Sequence, residues 1–216
     1  MTEPIVYESV VNDDLVEEEM NDSAAFVNYG LSGTLRPTTT ATGARAKAYR
    51  DVRGRLAPQD PTWDAERTVR FIVDLQPPVL VTGDAPLPES IDDMTAYFTS
   101  GDVEAGKPGF GFKLSMVGGS PTLQGVVHDG DTETTTDFSI RQTRLPDSGR
   151  LILRAEYMPA PFDVTFYVDD RRVGDSSDLD PLTESAAAPE RFFTVSIEAG
   201  ADVRRAVDFD ARVVQQ

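Results

Sequence analysis

Few residues of this chain carry the spacing that chemistry needs, and the best placed of them are oxygen ligands. Asp129-Gly130-Asp131-Thr132-Glu133 sets carboxylates at alternate positions of a tight turn, the arrangement a hard cation such as calcium requires. Asp129, Asp131 and Glu133 are therefore the candidate metal ligands, and calcium is the one candidate cofactor. Asp169-Asp170 and Asp175-Ser176-Ser177-Asp178 are second candidates. With 37 acidic residues in the chain, clusters of this kind also arise from composition alone.

No catalytic centre assembles from the rest. His128, the sole histidine, ends an apolar run in Val126-Val127-His128-Asp129, and no tyrosine-lysine motif supports it as a base. A single histidine, no cysteine and no Gly-x-Ser-x-Gly elbow leave no nucleophilic triad. Gly118-Gly119-Ser120 is followed by Pro121 rather than lysine, so it reads as a turn and not as a phosphate loop. Glu17, Glu18 and Glu19 alternate faces and read as a solvated acidic run. The expectation is a protein that is not an enzyme.

Charge narrows the partners. The 216 residues carry 37 acidic against 20 basic side chains, a formal net charge of −17, and lysine occurs only as Lys47, Lys107 and Lys113. This acidic, lysine-poor balance fits a halophilic archaeal host. In about 1 M salt the Debye length is roughly 3 Å, so crowded carboxylates cease to repel strongly. In dilute salt the same surface destabilises the compact state. Nucleic acid is excluded as a partner, because phosphate binding needs a basic footprint. No run of about 18 apolar residues exists, so membrane insertion is not expected. The absence of cysteine rules out disulfides and thiolate zinc.

The elements that must position any site are strands. Residues 67–75 alternate Val69, Phe71, Val73 and Leu75 on one face. Residues 77–88 are proline-rich and read as a loop or an edge. Phe110, Phe112, Leu114 and Met116 alternate up to Gly118-Gly119, and 123–128 returns as the second arm of a hairpin. Phe138 and Ile140 suggest another strand before a turn at 146–149. Leu151, Leu153, Ala155 and Tyr157 alternate in the next, 162–168 follows, and 193–197 and 203–214 are the last. Most aromatic residues fall on inward positions and read as core. The pattern predicts an all-β, two-sheet antiparallel sandwich. Its domain is 31–216, preceded by an N-terminal extension at 1–30. There the apolar pairs recur every five residues or so among acids, which suits an arm that orders on a partner, a first strand followed by an acidic loop, or equally a frayed terminus.

Three stretches resemble one family. Gly109-Phe110-Gly111-Phe112-Lys113-Leu114 with Leu123-Gln124-Gly125-Val126-Val127 looks like its glycine-phenylalanine hairpin. Residues 151–157 with 164–174 look like its paired strands closed by a Tyr-Val-Asp-Gly turn, here with Asp170 in the glycine's place, and 208–214 sits where a closing strand would. The family is the concanavalin A-like lectin/glucanase jelly roll, laminin-G-like members in particular. The resemblance covers about two thirds of the chain and implies the jelly-roll fold. Glucanases of that fold use an E-x-D-x-x-E arrangement, which this sequence lacks.

The expected function is a non-catalytic structural or adhesive protein, a virion component decorating the capsid or tail of a virus of a halophilic archaeon. The opening residues show no signal peptide, so synthesis in the cytoplasm and release with the particle is the expected route, with other virion proteins and further copies of the chain as partners. The alternative is a glycan-binding, lectin-like module of a cell-surface protein, and the third reading is a polysaccharide-active enzyme.

Overall fold

A computed structural model describes residues 5–8, 16–20, 24–29, 32–37, 45–51, 68–80, 92–117, 120–138, 151–158, 163–176, 191–199 and 205–215. Alternation decides what each strand buries. In β6 (Val69–Leu80), Val69, Phe71, Val73 and Leu75 are fully buried while Arg70, Ile72 and Asp74 face away. The same period holds in β7 (Asp92–Gly101) through Met94, Ala96 and Phe98, in β8 (Gly109–Val117) through Phe110, Phe112 and Leu114, and in β11 (Leu151–Met158).

Among the described residues the strands form two antiparallel sheets. The eight-stranded sheet runs β13 (Arg171–Ser176), β12 (Asp163–Val168), β11, β6, β15 (Arg205–Gln215), β4 (Ser32–Pro37) and β3 (Ala24–Tyr29). Its eighth member, β1 (Ile5–Glu8), pairs with β15 at 212–215, beyond the 207–209 stretch that β4 occupies. The seven-stranded sheet runs β10 (Glu133–Asp137), β9 (Ser120–His128), β8, β7, β14 (Arg191–Ala199), β5 (Arg45–Asp51) and β2 (Val16–Met20). The first thirty residues thus place strands in both sheets.

Aromatic rings lock the two layers together. Phe112 of the seven-stranded sheet meets Phe166 of the other edge-on at 5.7 Å, and Phe138 closes on both, at 6.2 Å from Phe112 and 5.5 Å from Phe166. Phe98 and Phe209 make a second edge-on contact at 6.5 Å. Rings in these poses add about 0.5–1.5 kcal/mol per pair beyond the area they bury.

Two details differ from the sequence reading, and a third bears out the turn expected at Asp170. The loop or edge expected from Pro77 on begins later, because β6 continues to Leu80. There the β11 ladder has ended at Leu75, and on the other side the register jumps between Ala206 and Asp208, so Pro77 and Pro78 stand in a bulge. β10 is a strand that the sequence pattern did not suggest, and it ends at Asp137, ahead of Phe138. Ile140 lies outside the described residues. The β12–β13 turn is tight, with both Asp169 (φ 48°) and Asp170 (φ 61°) left-handed, the conformation of a type I′ hairpin.

Candidate functional site

The register brings one set of side chains into line on the outer face of the seven-stranded sheet. Lys47, Ser196, Tyr97, Lys113, Gln124 and Asp137 are successive cross-strand partners over β5, β14, β7, β8, β9 and β10. The row beside it holds Thr194, Thr99, Gly111, Val126 and Thr135.

Among the described residues, two lysine-centred bridges cross this face. Lys113 Nζ lies 2.7 Å from Glu133 Oε1, and Tyr97 Oη donates to Glu133 Oε2 at 3.1 Å. Lys113 also stands over the Tyr97 ring, 5.1 Å from its centroid. Glu133 is two strands away on β10, in the row of His128, so the bridge passes over Val126. That explains why Val126 is fully buried although its position points outward. Burial is the first cause pushing the Tyr97 phenol up from 10.0. For Lys113 burial acts downward, but the hydrogen bond to Glu133 and the contact with Tyr97 outweigh it and raise the ammonium above 10.5.

The second bridge lies on the other side of β7. Lys47 Nζ is 2.7 Å from Asp102 Oδ1 and 3.0 Å from Glu104 Oε2, and the Lys47 and Asp102 side chains are 3% and 9% exposed. Arg45 ties Glu104 (3.2 Å) to Glu198 (2.8 Å). Asp102 leaves the end of β7 and Lys47 stands on β5, so this bridge passes over β14. A single 3-10 turn, Val103–Ala105, shapes the segment. The Ala105 and Lys107 amides donate to Asp102 O, and Gly106 closes the turn in a left-handed conformation (φ 69°). Val103 is buried against Gly109 of β8; a Cβ on that glycine would lie 3.0 Å from Val103 Cγ2. Beneath the bridge, Thr194 (0% exposed) and Ser196 (5%) have hydroxyls with no hydrogen-bond partner.

The residues expected to bind metal are each engaged differently. Asp129 Oδ1 accepts the Asp131 and Thr132 amides, both at 2.7 Å. Those bonds, Thr132's first, hold the Asp129 carboxyl below 3.8. Asp131 is exposed, and Glu133 is turned to Lys113 and Tyr97. A calcium ion at this turn would have to draw Glu133 away from Lys113. Among the described residues no group of three or more His, Asp or Glu side chains is arranged to hold a metal. Asp169 Oδ1 accepts the Ile152 amide (3.1 Å), and Asp175 pairs with Arg172 (3.0 Å); Ser177 and Asp178 lie outside the described residues. His128 ends β9, buried, with Nδ1 accepting the Gly130 amide at 2.9 Å.

Sequence reasoning missed both bridges. Their members lie 57 residues apart in Lys47–Glu104 and 20 apart in Lys113–Glu133, with no local pattern joining them. The one available signal was scarcity, since two of the chain's three lysines anchor them.

No family model matches the sequence, and no curated protein matches it either. Solved structures match along nearly the whole chain. A prokaryotic beta-1,3-1,4-glucanase (lichenase) derived from a mouse hindgut metagenome superposes with a TM-score of 0.57 at 10% identity, covering 98% of this chain and 99% of that one. The Bacillus licheniformis beta-glucanase gives 0.54 at 9% identity, covering 98% of each chain. The fold is the concanavalin A-like lectin/glucanase jelly roll. A legume lectin-like domain from Entamoeba histolytica shares it, with a TM-score of 0.51 at 9% identity over 93% of this chain and 89% of that one. At these identities the likeness is one of fold, and on a jelly roll the function has to be argued from the site.

Proposed function

We propose that this jelly roll is a non-catalytic carbohydrate-binding module that takes its saccharide on the outer face of the seven-stranded sheet. One observation carries the reading: the half-buried Tyr97–Lys113–Glu133 cluster at the centre of that face, with Gln124, Ser115 and Thr95 on neighbouring outward positions. Sugar rings are held by a few fixed polar groups beside an aromatic ring, and this cluster offers both. Glycoside hydrolysis needs a carboxyl that keeps its proton beside one that does not. On this face Glu133 is held by Lys113 and Tyr97, while Asp102 and Glu104 are both held by Lys47.

Titration calorimetry against mixed-linkage and β-1,3-linked gluco-oligosaccharides tests the proposal. Binding should fall at least about tenfold in Tyr97→Ala, the loss expected for one aromatic contact with its hydrogen bond. Binding unchanged by that substitution would place the saccharide elsewhere. Release of shorter sugars, abolished by Glu133→Gln, would overturn the non-catalytic part.

A second reading, a structural or adhesive virion component from a halophilic host, draws on the net charge of −17. On that reading the chain assembles with other particle proteins and with copies of itself. The protein should melt lower as salt falls from molar to millimolar, and should be recovered from purified particles at fixed copy number. Melting that ignores salt removes the halophile argument, and absence from particles removes the virion.

A further inference from the structure

Of four buried side-chain polar atoms without a hydrogen-bond partner among the described residues, Asp102 Oδ1 is ion-paired to Lys47 and Arg154 lies over the Tyr167 ring, which leaves the Thr194 and Ser196 hydroxyls unexplained. Both stand on outward positions of β14, both are more than nine-tenths buried, and neither has a hydrogen-bond partner. A buried hydroxyl without a protein partner is costly, and it is ordinarily satisfied by an ordered water or by a polar guest that takes the water's place. The flanking groups decide which guest. Lys47 stands beside Ser196 in the register, and the carboxylates of Asp102 and Glu104 reach it across β14. A phosphate or a carboxylate would face those two carboxylates. A metal cation would compete with the ammonium already in place, and an apolar guest would leave both hydroxyls as they are. A neutral diol fits, because each of its hydroxyls both donates and accepts.

We propose that Thr194 and Ser196 form a buried subsite for the hydroxyls of a neutral saccharide, closed by segment 102–106, which Lys47 latches through Asp102 and Glu104. This rests on the saccharide reading of the same face and extends it across β7, from the Tyr97 cluster to β14. A ligand that spans both must lift the segment on entry. Its short turn is held down by the Lys47 ion pairs and by the Val103 side chain packed on Gly109.

The test compares the full chain with the near-isosteric double variant Thr194→Val/Ser196→Ala, using a mixed-linkage β-glucan tetrasaccharide as the probe. The double variant should melt no lower than the wild type without sugar, since it removes two unpartnered polar atoms. Its affinity should fall about tenfold, the loss of roughly one net hydrogen bond. Glu104→Gln, which weakens the latch and leaves both hydroxyls, should speed association. An affinity equal to wild type in the double variant, alongside a loss in Tyr97→Ala, overturns the subsite and leaves the saccharide reading standing. No binding by the wild type removes both. A double variant that melts several degrees lower shows that the hydroxyls stabilise the empty fold, and that too overturns the subsite.

Discussion

Gly125→Ala is the sharpest test of how the two sheets meet. Gly125 pairs with Phe112 on the inward face of β9. A Cβ there would lie 2.6–2.7 Å from three carbons of the Phe166 ring. Carbon contacts are comfortable at about 3.5–4.0 Å, so the ring must retreat by roughly 1 Å. It has little room, being fully buried with Phe112 at 5.7 Å and Phe138 at 5.5 Å. Overpacking of this kind costs about 1–3 kcal/mol, and the enclosure puts this case near 3. For a domain of this size that lowers Tm by roughly 6–12 °C. Phe166→Leu vacates the space at its own cavity cost of roughly 1–3 kcal/mol, so the double variant should lose less than the two singles summed, by about 1 kcal/mol or more. Urea denaturation reads all three from their midpoints at constant m. A Gly125→Ala penalty below about 0.5 kcal/mol, or strict additivity with Phe166→Leu, would falsify the face-to-face register argued above.

Other outcomes follow from single contacts. Lys47→Met takes the ammonium from the buried Asp102 and leaves Glu104 to Arg45, and should cost about 3 kcal/mol by urea denaturation; a loss under about 1 kcal/mol would mean the latch is solvated. Asp170→Gly relieves a left-handed aspartate in the β12–β13 turn, gives up only a 3.8 Å approach to Arg154 by an 85% exposed carboxylate, and should gain about 0.5–1 kcal/mol by urea denaturation; a loss refutes the strain at this turn. The Asp129 carboxyl is depressed by the amides it accepts. Its support of the 128–133 turn is therefore complete above the unfolded value near 3.8 and is lost as pH falls through the lower, folded value. Amide resonances of Asp131 and Thr132 followed from pH 6 downward should shift with a midpoint below 3.8, and a midpoint at or above it refutes the turn geometry.

The sandwich was legible wherever one face of a strand is buried and the other is not. Residues 69–75, 110–114 and 151–157 announce themselves because Phe71, Phe112 and Leu153 lie beside the outward Arg70, Lys113 and Arg154. The Gly118-Gly119 hairpin was equally plain, with Val117 and Ser120 closing it. β10 was not, because Glu-Thr-Thr-Thr-Asp on a sheet edge buries none of its side chains and carries no hydrophobic period. Pro77 and Pro78 misled for the opposite reason: a bulge supplies the place where missing donors do no harm. The candidate site lay deeper still. A local pattern names Asp129, Asp131 and Glu133 as neighbours, but only the three-dimensional register shows Glu133 turning to a lysine two strands away.

The position of β15 bears on how the molecule comes into being. It fills the gap between β6 on one side and β1 and β4 on the other, so strands made early wait for a partner made late. During translation the eight-stranded layer stays split, with the edges of β6 and β4 open, until 205–215 has cleared the ribosome. Docking of β15, rather than growth of an early nucleus, then sets the moment at which this layer closes. Until then the exposed edges are what a chaperone would have to cover.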